Sequence, residues 1–423
     1  MRRRRDRGSR GDRRRVSTED RDGTFTALLR PLVAAARERR GETALDYQPL
    51  SHLDYAAELA VKQEGLGRFW EQHRLDGVPE SPRPSPRPRG YRTSSKRRIQ
   101  VHKGKPCLFL GDRPAPADLR GFVASPLEAT EHAVIYRGLR EILGRPIFRM
   151  LHGHLSYAIV RGSYSQRALI LNVDELSAPI VRKIKLLAKQ IQALPGAPLS
   201  ALFVYLDPTR SEYHFESRRP DDPVTFKKIF GPDQLSIAVA GCRYRFHPTS
   251  FSQVNESMLP EMLAMAREML SPQPGQYLLD LYCGYGLFSH FLAGDYAGVV
   301  GVDSEGPSIR AAVANSRSNR SSTPVKFIAA RIDRDFAEQI LRPSPGPEAI
   351  LLDPPRSGPL AGVITALGRR NPKKVLHVFC EVDRIPVALG QWRAKGYAVE
   401  RVVPLDMFPG SANLEVLILL VPA

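Results

Sequence analysis

From Tyr277 to the end the chain repeats one unit: a short apolar run, then a stretch with helical spacing. The runs are "YLLDLYCG", "GVVGVDSE", "VKFIAA", "AILLDPP" and "KVLHVFC". Between them lie "LFSHFLAGDY", "PSIRAAVANSRSN", "DFAEQILR", "LAGVITALGRR" and "RIPVALGQWRAKG", and Pro307 falls in a first helical turn. Strands that alternate with helices must run parallel, in a doubly wound sheet buried on both faces. The last two runs, "YAVERVVPLDMF" and "LEVLILLVPA", have only a short loop between them. They are therefore expected to close a seven-stranded sheet as an antiparallel pair at one edge.

Upstream the grammar differs. Residues 1–22 are low-complexity and charged, which predicts a basic disordered tail. Residues 23–90 carry two helical patterns, "FTALLRPLVAAARERR" and "LDYAAELAVKQEGLGRFWEQHR", then "VPESPRPSPRPRG", read as an extended, solvated linker. Residues 91–250 mix strands ("ALILNVD", "ALFVYLD", "LSIAVAG") with helices ("EHAVIYRGLREIL", "PIVRKIKLLAKQIQAL") and predict an α+β central domain. The amphipathic "ESMLPEMLAMAREML" opens the last domain, residues 251–423.

Net charge is +18, of which the first fifteen residues hold +7, so the body is basic as well. A balance of this kind suits a polyanion, and nucleic acid is the commonest. "YRTSSKRRIQ" supplies a candidate RNA-binding strand through Tyr91, Arg92, Lys96, Arg97 and Arg98; the same residues would also suit a solvated edge strand guarded by charge. No run of eighteen apolar residues occurs, and the start lacks the apolar segment of a secretory signal. We expect a cytoplasmic monomer with no membrane contact. The four cysteines, Cys107, Cys242, Cys283 and Cys380, are far apart and form no C-x-x-C pair, so no metal site is expected.

Ligands of such sheets bind at the carboxyl ends of the strands. Gly284 and Gly286 in "DLYCGYGLF" let the backbone turn sharply against a ligand. Asp303 ends the second run, where an acid can accept bonds from both hydroxyls of a ribose. Ser289 stands where the third glycine of a pyrophosphate-binding loop would be. A cofactor with a ribose and no phosphate fits better than a dinucleotide, and S-adenosylmethionine is the common one. "DPPRSG" ends the fourth run; its prolines make a rigid loop over the strand ends, and Asp353 then faces the cofactor region.

Taken in order, these motifs resemble the S-adenosylmethionine-dependent RNA uracil-5 methyltransferases, which make 5-methyluridine in tRNA and ribosomal RNA. "FSQVN" looks like the family's F-x-Q-x-N, which gives Gln253 a contact to the methionine part of the cofactor. "LDLYCGYGLF" looks like its first cofactor motif, with Tyr282 lining the site, and "GVDSEGPSIRAAVANSRSN" like the segment that binds ribose through Asp303. "DPPRSG" matches the fourth motif, in which 5-methylcytosine relatives usually carry a Cys. "VFCEV" falls where the family has its nucleophilic cysteine, here Cys380. "DMFPGSANLEV" falls where it has D-x-F-P and the base, here Glu415. "SHLDYAAELAVKQ" and "GYRTSSKRRIQ" are fainter matches, and the cysteines of iron–sulfur members are absent upstream. Glu381 and Val382 replace the Asn and Pro after the nucleophile, Leu287 replaces an Asn in the cofactor loop, and Asn413 stands near the position of the usual His.

The resemblance implies a Rossmann-like class I methyltransferase domain and a structured RNA (tRNA or rRNA) as substrate, its target base turned out of the stack. Other readings stay open: Cys380 as a plain core residue at a strand end, an RNA-binding protein on an inactive methyltransferase scaffold, and a 5-methylcytosine methyltransferase.

Overall fold

The computed structural model describes residues 23–38, 48–110, 124–196, 199–210, 226–304, 306–319, 321–340 and 346–423. The tail at 1–22 lies outside the described residues. Two helices come first, α1 (Phe25–Glu38) and α2 (Tyr55–His73). Asp54 caps α2 by accepting from Ala57 N at 2.8 Å. The central region follows as β1 (Ser94–His102), β2 (Lys105–Phe109), α3 (Thr130–Leu143), β3 (Leu155–Gly162), β4 (Arg167–Val173), α4 (Ala178–Gln192), β5 (Ala201–Leu206) and β6 (Phe226–Phe230). These strands form one sheet in the order β2-β1-β3-β4-β5-β6. A separate hairpin, β7 (Leu235–Val239) and β8 (Cys242–Phe246), leads to α5 (Leu259–Leu270).

The C-terminal region alternates as the sequence requires: β9 (Tyr277–Leu281), α6 (Leu287–Leu292), β10 (Gly298–Asp303), α7 (Gly306–Asn315), β11 (Val325–Ala329), α8 (Arg334–Gln339), β12 (Glu348–Leu352), α9 (Val363–Gly368), β13 (Lys374–Phe379), α10 (Ile385–Arg393), β14 (Tyr397–Leu405) and β15 (Glu415–Pro422). The sheet order is β11-β10-β9-β12-β13-β15-β14. β15 inserts between β13 and β14 and runs antiparallel to both. The order reverses between β9 and β12, which places the ligand crevice of an open α/β sheet beyond their carboxyl ends.

Three apolar cores hold these layers together. One buries α3 and α4 against the central sheet through Leu169, Leu171 and Val173 of β4. The next residues along the same strand, Ala168 and Ile170, face the opposite way and join a second core with the hairpin, α5, α6 and the seven-stranded sheet. The third core lies on the far face of that sheet, where Phe25, Leu29, Leu66, Phe69 and Trp70 of α1 and α2 pack beside α9 and α10. Polar ties add to this. Tyr244 of the hairpin donates to Leu287 O at 2.9 Å, and Asn315 of α7 bonds both backbone groups of Arg245. Among the described residues no helix is long and apolar enough to cross a membrane.

The segment expected to be a solvated linker is extended and largely open to solvent, with only Pro82 and Ser85 buried, yet it is tied to the last sheet. Pro79 and Arg83 bridge β14 in parallel fashion, with Glu80 N donating to Val402 O at 3.0 Å and Arg83 N to Pro404 O at 2.9 Å. The donors are the non-proline residues of a proline-rich strand, the arrangement such a strand tolerates at a sheet edge.

Candidate active site

The first turn of the site follows β9. Tyr282, Gly284 and Gly286 all have positive φ, at 65°, 55° and 85°. A Cβ on Gly286 would come within 2.9 Å of the His290 ring and 3.1 Å of the Phe327 ring, so this glycine is required by packing. Gly284 is different: a Cβ there would meet nothing within 4 Å. Its backbone borders open space at the strand ends. Gly284 N donates to Asp303 Oδ2 at 2.9 Å, so the acid at the end of β10 also holds the loop. The Tyr282 hydroxyl is buried with no hydrogen-bond partner among the described residues, and burial, with Asp303 second, pushes it up to about 12. Ser289 donates to the buried Asp280 carboxylate at 2.5 Å. Gly301 of β10 packs so closely that a Cβ would come within 2.9 Å of the Ser289 hydroxyl.

Three carboxyl groups gather at this crevice. Burial, then Asp280 and Asp303, pushes Asp353 up to about 7. Asp280 is likewise pushed up to about 7, by burial in the first place and with its bond from Ser289 opposing. Gln253 is nearly buried, and its segment is stitched to the chain before β1: Thr93 N donates to Val254 O at 2.9 Å. Asn255, two residues on, bonds Ser85 Oγ at 3.0 Å and Met407 O at 3.2 Å.

Cys380 and Glu415 come together through strand pairing. β13 and β15 are antiparallel with Phe379 opposite Val416. Continuing that register by one step sets Cys380 opposite Glu415, where side chains share a face. Cys380 is half-buried and its Sγ lies 3.9 Å from Pro354 O of the DPPRSG loop. Pro354, Pro355, Arg356, Glu381 and Arg384 line the small pocket beside it. Burial, then Glu415 and Asp353, pushes the thiol well above its usual range; Arg356 pulls the other way. Glu415 is 1% exposed, and neither carboxylate oxygen has a hydrogen-bond partner among the described residues. Burial, followed by Asp353, holds its carboxyl well above the usual range, and Arg356 again opposes. An orphaned buried carboxyl is costly in a folded protein, so its retention points to a role with a ligand.

Two residues of the expected RNA-binding strand do not serve there. Tyr91 is fully buried and donates to Pro409 O at 3.1 Å. Arg97 is fully buried and paired with Glu128 at 2.6 Å. Period-two alternation along β1 turns Arg97 inward while Lys96 and Arg98 stay partly exposed, and β1 is flanked by β2 and β3 rather than lying at the edge. Cys283, in the turn after β9, is buried. Sequence reasoning gave no role to Glu58, Lys62 and Asp406, three fully buried charged groups behind the Glu415 loop. The signal was present in "SHLDYAAELAVKQ" and in D-x-F-P, but nothing local says that these segments meet.

Comparison with known proteins agrees with this geometry. The family model described as tRNA (Uracil-5-)-methyltransferase matches residues 207–422, just over half of the chain. The 23S rRNA (uracil(1939)-C(5))-methyltransferase RlmD of Pectobacterium carotovorum subsp. carotovorum (strain PC1) is 27% identical over 365 residues, 86% of this chain and 75% of that protein. The protein of the same description from Yersinia enterocolitica serotype O:8 is 35% identical over 197 residues, 46% of this chain and 43% of that one. Among solved structures, the Pyrococcus abyssi tRNA (uracil-54, C5)-methyltransferase in complex with S-adenosyl-L-homocysteine superposes with a TM-score of 0.63 at 19% identity, covering 89% of this chain and 86% of that one, a likeness of fold. With its family motifs in order along a seven-stranded methyltransferase sheet, the chain belongs to the tRNA (uracil-5-)-methyltransferase family.

Proposed function

We propose that this protein methylates carbon 5 of a uridine in tRNA or ribosomal RNA, with Cys380 as nucleophile and Glu415 as base. The observation that carries the reading is the pairing of a half-open thiol just past the carboxyl end of β13 with an orphaned buried carboxyl at the amino end of β15. Family membership and the names of the RlmD relatives support the reaction class.

The crevice beyond β9 fits S-adenosylmethionine. Gly284 leaves room for it, Asp303, bonded to Gly284 N, would meet its ribose, and Gln253, Tyr282, Gly286 and Asp353 are the further residues assigned to it by the family motifs. When bound, that cofactor supplies an electrophilic methyl group. The chain's residues supply the rest. Carbon 5 of uracil is a poor nucleophile. The Cys380 thiol gives its proton to water at the half-open mouth, and the thiolate adds to carbon 6. The resulting enolate would present carbon 5 as the nucleophile to the bound cofactor, whose sulfonium–methyl bond would break to leave S-adenosylhomocysteine. Glu415 then removes the proton from carbon 5, the double bond re-forms, and the carbon–sulfur bond breaks to release the thiolate. Arg356 favours both ionised forms that this sequence needs, since its charge acts on Cys380 and Glu415 alike.

Residues 91–250 and the basic N-terminus would supply the phosphate contacts, through exposed cations such as Lys96 and Arg98. A second reading, an RNA-binding protein on an inactive scaffold, draws on the thiol being pushed up. One assay separates them. Unmodified tRNA and ribosomal RNA are incubated with the protein and methyl-labelled cofactor, digested and analysed as nucleosides. Labelled 5-methyluridine is expected from the wild type and none from Cys380→Ala. Label in 5-methylcytidine, or none with RNA and cofactor both bound, would sink the proposal.

A further inference from the structure

The candidate base is carried by a loop that is held from outside. Glu415 opens β15, five residues after Gly410, and its carboxyl has no partner among the described residues. Its position therefore follows from the backbone: from the start of the β15 ladder, where Glu415 lies opposite Leu405 of β14, and from residues 406–414, which lead into it. Four consecutive carbonyls of that loop accept hydrogen bonds from other parts of the chain. Met407 O accepts from Asn255 Nδ2 at 3.2 Å, Phe408 O from Lys62 Nζ at 3.1 Å, Pro409 O from the Tyr91 hydroxyl at 3.1 Å, and Gly410 O from Leu50 N at 3.1 Å. Gly410 N in turn donates to the Glu58 carboxylate. Three of the four carbonyl donors, and Glu58, lie between residues 50 and 91, before β1.

A closed charge cluster sits at the centre. Lys62, Glu58 and Asp406 are each fully buried. Lys62 Nζ lies 2.7 Å from Asp406 Oδ1 and 3.0 Å from Glu58. The Tyr55 hydroxyl donates to Asp406 Oδ2 at 2.9 Å, and Arg89 donates to Glu58 at 3.0 Å. The three ammonium protons of Lys62 thus have three acceptors: Asp406, Glu58 and Phe408 O. Two carboxylates face two cations, so the cluster is neutral. Such clusters are poor sources of net stability, because desolvation offsets the attraction. What this one supplies is a single geometry for the loop.

We propose that Lys62 is a positioning residue of the active site: from α2 it fixes the 406–414 loop so that the Glu415 carboxylate reaches the proton on carbon 5. This rests on the reading of Glu415 as the base. The N-terminal helical segment is then part of the catalytic apparatus, not an accessory to it.

The mechanism offers a readout that loss of general structure would not produce. Addition of the thiolate and methyl transfer precede proton removal. A misplaced Glu415 should therefore leave the RNA joined to Cys380 and already methylated, on ordinary uridine with no trapping analogue. The full-length chain carrying Lys62→Met is incubated with unmodified RNA and methyl-labelled cofactor, then run on a denaturing gel. Because Lys62→Met leaves Asp406 uncompensated, Lys62→Met/Asp406→Asn is run alongside; it removes one charge of each sign and keeps an acceptor for Tyr55. Glu415→Gln is the reference. The expected result is a labelled covalent band in all three variants, with turnover in the Lys62 variants reduced roughly tenfold to a hundredfold and the KM for cofactor unchanged. If Glu415→Gln gives the band but the folded Lys62 variants turn over like wild type, or are slow with a raised KM for RNA and no band, the positioning role is wrong while the base stands. If Glu415→Gln gives no band, the base assignment fails and this inference fails with it.

Discussion

At the scale of single residues the site is a problem of charge. Glu415 is buried, Cys380 and Asp353 are half-buried, and each is driven towards its protonated form by burial and by the neighbouring acids. Arg356 is exposed at the rim and opposes this at both Cys380 and Glu415. Its loss should raise both pKa values, so the ionised forms would appear only at higher pH. Arg356→Gln is expected to move the rising limb of the kcat/KM profile towards alkaline pH and to lower the rate at pH 7 roughly three- to tenfold. A profile that superposes on the wild type would refute this role. The candidates for the site came from motif order: Cys380, Glu415, Asp303 and Asp353 were all named from it. Their mutual geometry was not. That Cys380 stands opposite Glu415 depends on the β13–β15 register, a non-local pairing that no local pattern encodes. The same limit explains Tyr91 and Arg97. Arg97 is turned inward by the alternation of β1 against β3, and Tyr91, which precedes β1, is buried where its hydroxyl bonds Pro409 O.

At the scale of elements the turn after β9 makes the sharpest prediction. Gly284 and Gly286 are two residues apart in one loop, yet one is confined by neighbours and the other borders open space. Gly284→Ala places a methyl group in that space. The left-handed conformation costs a non-glycine residue about 1–2 kcal/mol, so the fold should survive with a modestly lower Tm. Affinity for S-adenosylhomocysteine should fall more than tenfold, measurable by titration calorimetry; unchanged affinity would mean that the cofactor does not lie against this loop. Alternation of apolar runs with helical stretches predicted the C-terminal strands and helices well, because each unit is local. Of the proline-rich stretch, composition conveyed the extended form and the contact with solvent. It does not reveal that Glu80 and Arg83 supply donors spaced to meet β14.

At the scale of the whole molecule the two sheets are joined by one shared core. The central sheet shares its core with the seven-stranded sheet through Ile159, Ile170 and Phe203, and α1 and α2 cover the opposite face. Residues 207–422, the span matched by the family model, therefore omit one wall of each of two cores. Expressed alone, that fragment should lack a cooperative thermal transition and bind hydrophobic dyes. A sharp melting transition with native-like near-UV circular dichroism would show that the upstream regions are dispensable for folding. The basic character of the chain was plain from composition, but composition could not say that residues 50–91 would hold the loop at 408–410.

The central claim is that Cys380 attacks carbon 6 of a uridine. It is tested most directly with RNA from cells lacking this protein and grown on 5-fluorouracil, mixed with the protein and S-adenosylmethionine. Fluorine at carbon 5 cannot be removed as a proton, so the enzyme should stay bonded to its target. The account predicts a covalent protein–RNA band in the wild type, methylated in the trapped fragment and absent from Cys380→Ala. No band with cofactor and RNA bound, or a band that persists in Cys380→Ala, would contradict it.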